Sequence, residues 1–217
     1  MRSRPLAAES CAVGVPTPPV SHRFVGRRRV SADPTRVPPG EYVTSDLPTL
    51  SSGPTPDTPV EKWSFTIGGE VDEPASWWWG AFLALPSETV TVELHCMTKC
   101  SKPDTTWRSV SLETLLGDVV TAAEYVSVRF DGGNTTNLTL GNVTDSQAWV
   151  MYESKDELLE PNHGGSARVL VPHLCSWKSA KWFRGLTLAA SNKPGFWETY
   201  GHHDPGDPWL EQLYQGD

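Results

Sequence analysis

Short runs in which apolar and polar residues alternate are frequent in the chain from about Val60 onward. Residues 63–67, 89–94 and Tyr125–Phe130 follow this pattern. A period of two places successive side chains on opposite faces of a strand, so these runs predict half-buried β-strands. Tyr125–Phe130 ends at the sequence Asp131-Gly132-Gly133, which is typical of a turn.

Other segments complete the prediction of regular structure. Residues 148–152 and 167–171 predict two more strands, whereas Leu112–Leu116, followed by Gly117, predicts a short helical turn. Pro or Gly interrupts almost every connection, and the Pro-rich residues 38–60 predict an extended lead-in on the surface. The fold class we expect is therefore α+β, mixed, with a predominantly β core.

Length and composition fit one domain of this kind. The chain has 217 residues, of which 38% are hydrophobic, and this is enough for a sizeable core. The longest apolar run, residues 77–86, falls short of the roughly 20 apolar residues that a membrane helix requires. We therefore expect a soluble protein without a transmembrane segment.

Charge divides the chain into two parts. Residues 1–37 contain seven Arg against Glu9 and Asp33, a net charge of +5. Because the whole chain has a net charge of −8, residues 38–217 carry −13. We interpret residues 1–37 as a basic Pro/Arg-rich arm, disordered over about its first 20 residues, and 38–217 as the folded domain. The acidic body argues against a nucleic-acid partner.

The arm also bears on location. The run Arg27-Arg28-Arg29 superficially resembles a twin-arginine export signal, but no apolar segment follows it. We therefore expect a cytoplasmic protein, and in a reducing compartment metal binding or chemistry explains a cysteine better than a disulfide does.

Cys96 lies at the predicted end of a strand, close to His95, Lys99 and Cys100. This partly exposed, electropositive setting favours a thiolate, so Cys96 is a candidate soft-metal ligand or nucleophile. A small buried apolar side chain is the plainer interpretation. Structural zinc would need four ligands, and Cys96 with Cys100 supplies only two.

A second group of residues suits an anion. His163 precedes two glycines, and Arg168 and Lys181 follow with charge-assisted donors for a phosphate or oxyanion. An equally weighted alternative places Lys178, Lys181 and Arg184 on a solvated helical face with Trp182 turned inward.

Residues 194–209 combine aromatic residues with Pro, Gly and the cluster His202-His203-Asp204. A metal site is conceivable there, but such a segment more often covers a domain by burying its aromatic side chains. We favour the covering role.

Read together, ten segments resemble the molybdopterin-binding domain of the sulfite oxidase-like oxidoreductases, in its short single-domain bacterial form. The resemblance runs from about Val37 to the C-terminus, and it is specific because many short matches follow in order. The segments are Trp63-Ser-Phe-Thr-Ile-Gly-Gly-Glu-Val, His95-Cys-Met-Thr-Lys, Asp104-Thr-Thr-Trp, Asp131-Gly-Gly, Thr136-Asn-Leu, His163-Gly-Gly, Arg168-Val-Leu-Val-Pro-His, Trp177-Lys-Ser-Ala-Lys-Trp, Pro194-Gly-Phe-Trp-Glu and Gly206-Asp-Pro-Trp-Leu-Glu-Gln.

The resemblance implies a cofactor, Mo-molybdopterin, and a role for each matching residue. Cys96 corresponds to the cysteine that ligates molybdenum beside the dithiolene of the pterin, which makes it the catalytic and metal-binding residue. His163 and Arg168 correspond to residues that hold the cofactor, and Ser179, Ala180 and Lys181 to the segment that contacts its phosphate. The implied fold is the mixed, predominantly β, sulfite-oxidase type.

The implied activity is oxygen-atom transfer on a small sulfur or nitrogen oxo-compound, an oxyanion or a sulfoxide. Because the sequence contains no Cys-x-x-Cys-His haem motif, we expect a separate electron-transfer partner, a haem or flavin protein. Cys100 stands where the family usually has a tryptophan. Further departures at Asn134, Thr139, Ser166, Cys175-Ser176 and Leu213 keep open the alternative of a non-catalytic molybdopterin- or anion-binding module. Cys100 itself keeps open a thiol-based redox protein that uses Cys96 and Cys100.

Overall fold

The computed structural model describes residues 33, 35–45, 53–144 and 147–217. Most of the basic arm, including its first 20 residues, lies outside the described residues, so the predicted disorder there stays a prediction. Within these ranges, no helix is both long enough and apolar enough to cross a membrane.

The described residues form eleven strands, three short α-helices and four 3-10 turns. The helices are α1 (Trp79–Leu83), α2 (Leu112–Leu116) and α3 (Phe196–Thr199). The strands are β1 (Tyr42–Val43), β2 (Ser64–Gly69), β3 (Ala75–Trp78), β4 (Glu88–Cys96), β5 (Cys100–Ser111), β6 (Tyr125–Phe130), β7 (Thr135–Thr139), β8 (Trp149–Ser154), β9 (Glu157–Leu158), β10 (Arg168–Leu170) and β11 (Phe183–Ala189). The 3-10 turns are Val60–Lys62, Leu140–Asn142, Pro161–His163 and Pro208–Leu210.

The first sheet is built around the long strand β5. Strand β4 pairs with it in antiparallel fashion, β8 pairs with its second half, and β1 pairs in parallel with its first residues. Strands β9 and β10 extend the sheet from β8. Both ends of β5 are thus held by strands from distant parts of the chain.

The second sheet has the order β3-β2-β11-β6-β7. Only the pair β2 and β11 is parallel, and the remaining pairs are antiparallel. The largest apolar cluster draws residues from strands of both sheets, among them Phe65, Val110, Val128, Val169 and Phe183. Burial of these side chains, each worth roughly 1.5–3 kcal/mol, holds the two sheets in place.

The predicted α+β class with a predominantly β core is confirmed, and the alternating runs lie in strands β2, β4, β6, β8 and β10. The predicted helical turn is α2, which the Ser111 hydroxyl caps by accepting a hydrogen bond from the Thr114 N–H. The pattern did not predict β3, β5, β7 or β11, nor the two-residue strands β1 and β9. Strand β5 is rich in Ser, Thr and charged residues, and β7 consists mostly of Thr and Asn, so hydrophobic alternation does not mark them.

One interpretation of the sequence is wrong. Lys178, Lys181 and Arg184 do not share a helical face, because the chain turns before Phe183 and then enters β11. Lys178 is only 1% exposed and its ammonium binds the Glu198 carboxylate at 2.6 Å. The covering role holds for only part of the C-terminal segment: Trp197 is partly buried and packs on the cluster of Cys175, Trp177 and Leu213, whereas Tyr200 and Trp209 are exposed.

Candidate functional site

Cys96 is the last residue of β4, and a three-residue connection leads from it to Cys100, the first residue of β5. The two cysteines are paired residues in the antiparallel register. Lys99 closes the turn with a positive φ of 58° and donates its N–H to the Cys96 carbonyl at 2.9 Å. The Cys96 side chain is therefore fixed at the tip of a hairpin (the cysteine hairpin, residues 96–100).

The environment of the Cys96 sulfur favours a thiolate. The Cys100 S–H and the Thr98 hydroxyl, 3.2 Å away, donate toward it and lower the pKa of Cys96, although burial opposes this shift. The pKa of Cys100 is raised because its proton is held by Cys96 and because it is buried. Burial also raises the pKa of the nearby Cys175. Among these three thiols, Cys96 is the one prepared to ionise.

An N-terminal segment braces the cysteine hairpin from the side. The Tyr42 N–H donates to the Lys99 carbonyl at 3.1 Å, as β1 runs along the start of β5. The Ser101 hydroxyl lies 2.9 Å from Nδ1 of His95 and donates to the Glu41 carboxylate. These buried polar contacts fix the position of the hairpin without using its sulfur atoms.

The second part of the site is a basic cluster. The Arg168 guanidinium donates to the His163 carbonyl at 3.1 Å and to the Ser179 carbonyl at 2.8 Å. Its Nε is buried and has no hydrogen-bond partner in the described structure. Burial lowers the pKa of Arg168 to about 10. A buried, unpartnered donor on a partly buried cation is favourable for an anionic ligand.

Lys181 lies beside this arginine. Its ammonium donates to the Asn162 carbonyl at 3.0 Å, and burial followed by repulsion from Arg168 lowers its pKa to about 8. Gly164 separates the two cations with a φ of +104°. A Cβ there would lie 3.1 Å from atoms of both Arg168 and Lys181, so a side chain at this position would push the two cations apart.

A tight turn at residues 175–180 connects the cysteine hairpin with the basic cluster. At one end the Ser176 N–H donates to the His95 carbonyl at 2.7 Å, and at the other the Ala180 carbonyl accepts from Val169 at 2.9 Å. The Ser179 hydroxyl accepts from the Val171 N–H at 2.9 Å. The two ends of the site are therefore linked by one short piece of backbone.

A buried ion pair anchors this turn. The Lys178 ammonium donates to the Glu198 carboxylate at 2.6 Å and to both the backbone and side-chain oxygens of Asn137 at 2.9 Å. The Thr136 hydroxyl also donates to Glu198. Because removing one partner of a buried pair leaves an uncompensated charge, this contact holds the turn strongly against β7 and α3.

Behind the hairpin, His95 and Trp209 line a hollow of about 230 Å³ together with Arg36. The guanidinium of Arg36 is already paired with the carboxylates of Glu93 and Asp104. These carboxylates neutralise the positive charge, so the hollow offers an anion less positive charge than the cluster at Arg168 does.

The structure brings His163, Arg168, Ser179, Ala180 and Lys181 together at one end of the site and places Cys96 at the other. His163 contributes its carbonyl to Arg168, while its side chain is exposed. The sequence did not single out Thr98 or the Ser176 backbone, whose contacts depend on turns that carry no marked motif.

The donor set fits molybdopterin. Among the described residues, no group of three or more His, Cys, Asp and Glu side chains is placed to hold a metal ion. A single prepared thiolate, Cys96, suits a metal that brings further sulfur ligands with it, and the unpartnered Nε of Arg168 suits a phosphate. Cys96 and the basic cluster thus have the chemistry that molybdopterin requires of a metal ligand and of a phosphate site.

Comparisons with known proteins agree with this reading. A family model described as the oxidoreductase molybdopterin binding domain matches residues 52–197, more than half of the chain. The uncharacterized oxidoreductase YuiH of Bacillus subtilis is 36% identical over 197 residues, which cover 89% of this chain and 100% of YuiH.

More distant relatives are longer than this chain. Sulfite oxidase of Arabidopsis thaliana is 26% identical, with 69% of this chain and 48% of that protein covered. The NADH nitrate reductase of Volvox carteri is 24% identical, with 81% of this chain and 25% of that protein covered.

The fold also occurs in a solved structure, the sulfane dehydrogenase SoxCD from Paracoccus pantotrophus. Its TM-score is 0.57 at 18% identity, and the match covers 63% of this chain and 40% of that chain. This agreement supports the predicted sulfite-oxidase-type fold. From the family match and the identity with YuiH, the chain belongs to the sulfite-oxidase-like oxidoreductases with a molybdopterin-binding domain, the family that its sequence motifs predicted.

Proposed function

We propose that this oxidoreductase binds Mo-molybdopterin, with Cys96 as the protein ligand of the metal, and transfers an oxygen atom to or from a small sulfur or nitrogen oxo-compound. The observation that carries the proposal is geometric: the Cys96 sulfur, which accepts from Thr98, and the partly buried Arg168, whose Nε has no partner in the described structure, adjoin the two ends of one turn. When bound, the cofactor supplies the two-electron chemistry at its metal.

The residues of the chain divide the remaining work. Thr98 and Cys100 keep the Cys96 sulfur in its anionic form, which is the form that ligates a soft metal. Arg168 and Lys181 hold the phosphate of the cofactor, Arg168 as a planar donor and Lys181 as a point charge. His163, Ser179 and Ala180 supply backbone that fixes these cations.

The small oxyanion or sulfoxide substrate and a separate haem or flavin protein as electron partner are part of the same proposal. The cytoplasmic location, the division into an arm at 1–37 and a domain at 38–217, and the absence of a nucleic-acid partner stay predictions. The net charge of −13 over residues 38–217 supports the last of these.

Elemental analysis of the full chain tests the cofactor. The chain is purified from a host that makes molybdopterin and from one that does not, and molybdenum, zinc and iron are measured per chain. We expect molybdenum to approach one atom per chain in the first preparation alone. Zinc in both preparations, or a folded chain without metal in both, would overturn the proposal.

A loaded preparation then allows a test of activity. Steady-state oxidation of sulfite and reduction of sulfoxides or nitrate are measured with artificial electron carriers. Turnover of any of these compounds supports oxygen-atom transfer, whereas stoichiometric molybdenum without turnover would favour the alternative of a binding module.

A further inference from the structure

Cys96 and Cys100 meet the geometric requirements of a disulfide. They are directly opposed in an antiparallel pair, where Cα atoms lie about 4.5–5.5 Å apart, and disulfides need about 4.4–6.8 Å. The Thr98 hydroxyl lies 3.2 Å from one sulfur and 3.4 Å from the other, so both side chains turn to the same side of the hairpin. In the structure both cysteines are free thiols.

The sulfur atoms of Cys96 and Cys100 differ in their exposure to solvent. Cys96 is 5% exposed and Cys100 is fully buried, so a reagent from solvent reaches Cys96 first. Cys175 is also fully buried, but it packs with Trp177 and Leu213 in the C-terminal cluster. Cys100 is therefore the partner that the hairpin presents to Cys96.

We propose that Cys96 and Cys100 form a reversible disulfide in the cofactor-free chain, and that this disulfide withholds Cys96 from the metal until it is reduced. The second half of this inference rests on the proposed function, because it takes Cys96 as the metal ligand. The pair is thus a lock on cofactor loading and not the active centre of a thiol oxidoreductase.

The chemistry needs a low-molecular-weight disulfide such as oxidised glutathione. The Cys96 thiolate attacks one sulfur of the reagent, which forms a mixed disulfide and releases one glutathione thiolate. Cys100 then loses its proton and attacks the Cys96 sulfur, which releases the second glutathione. Two protein thiols are oxidised and one glutathione disulfide is reduced to two thiols. The new ring spans only three intervening residues, so it adds little stability and a dithiol opens it readily.

Peptide mapping by mass spectrometry tests the disulfide itself. Full-length chain from a host without molybdopterin is treated with oxidised glutathione and digested without reduction. We expect a Cys96–Cys100 link in the native chain and in the matched control Cys175→Ala. Cys100→Ala should instead retain glutathione on Cys96. A link from Cys96 to Cys175, or glutathione on Cys96 of the native chain without any link, would overturn the proposal.

Molybdenum uptake tests the lock. Oxidised and dithiol-reduced samples receive molybdopterin released from another molybdoenzyme, and bound molybdenum is measured after gel filtration. We expect at least a tenfold lower uptake by the oxidised chain, with recovery on reduction, because loss of an outer-shell partner alone typically costs about 10–100-fold in metal affinity and the disulfide removes the ligand itself. Equal uptake by both forms would overturn the lock. A mapped disulfide with no uptake by the reduced chain would overturn the proposed function and leave the disulfide site standing.

Discussion

The cysteine hairpin and the basic cluster, the two ends of the proposed cofactor site, carry their charges in opposite ways. At the hairpin, hydrogen-bond donors surround one sulfur and stabilise its negative charge. At the cluster, backbone carbonyls hold Arg168 and Lys181 while burial makes both cations less stable. The hairpin is therefore ready as an anion before any ligand arrives, whereas the cluster gains most of its stabilisation when an anion binds.

The largest effect is expected on molybdenum content when Cys96, in the cysteine hairpin, is replaced. Cys96→Ser replaces the stabilised thiolate by a hydroxyl that stays protonated, so molybdenum per chain should fall by more than about tenfold. Elemental analysis of protein from a molybdopterin-producing host measures this. The matched control is Cys175→Ala, which should keep its molybdenum. Stoichiometric metal in Cys96→Ser would remove Cys96 from the site.

The second-largest effect is expected at the turn of residues 175–180, which connects the cysteine hairpin with the basic cluster. Lys178→Met leaves the buried Glu198 carboxylate without its cation and should lower the free energy of unfolding by about 3–5 kcal/mol. Urea denaturation monitored by tryptophan fluorescence gives this value.

The double variant Lys178→Met with Glu198→Leu should recover most of that loss, since no charge then stays buried. A loss below about 1 kcal/mol in Lys178→Met would show that the pair does not anchor the turn.

A smaller effect is expected at the cluster. Arg168→Lys keeps the charge but loses the planar fork that joins the carbonyls of His163 and Ser179. Hydrogen bonds from charged groups contribute about 1.5–3 kcal/mol, so cofactor affinity should fall roughly tenfold to a hundredfold. Equilibrium binding of released molybdopterin by fluorescence quenching measures the change. Arg184→Lys, outside the cluster and paired with Asp131, serves as control and should leave affinity unaltered.

The smallest expected effect is the pH dependence of anion binding at Lys181 in the basic cluster. Burial and Arg168 lower the pKa of Lys181 to about 8, so its ammonium loses its proton as the pH rises through that value. Anion binding by the cofactor-free chain should therefore weaken about fivefold between about pH 7 and pH 9, as for an interaction of about 1 kcal/mol.

Sulfate, whose charge is constant over this range, is a suitable probe in calorimetric titrations. Lys181→Arg stays protonated throughout and should flatten the pH profile. An equally steep profile in Lys181→Arg would assign the titration to another group.

The sequence predicted the two ends of the site unequally well. Cys96 stands out because a cysteine beside histidine and lysine at a strand end has recognisable chemistry. The residues of the cluster were assigned through the resemblance to the family, since spacing alone left a helical face as an equal choice. What no pattern showed is how Arg168 is held, because its partners are carbonyls whose direction depends on turns in the folded chain.

The strands of the fold were also predicted unequally well. Strands with alternating apolar residues, such as β2 and β6, were predicted. The long strand β5 was missed because its residues Cys100–Ser111 are mostly polar, and pairing on both sides stabilises it instead of one buried face. A strand that is stabilised mainly by pairing with segments distant in sequence shows little alternation of apolar and polar residues, so its own sequence does not predict it.

The parallel pair of β2 and β11 has a consequence for synthesis. Thr66 pairs with Gly185, and the indole of Trp63 donates to the Phe183 carbonyl across 120 positions of sequence. Pairing of such distant segments is slow, and it cannot be completed until residues up to Ala189 have been synthesised. Residues 175–181 are synthesised at the same late stage, so the cysteine hairpin and the basic cluster can be brought together only after most of this sequence has been made.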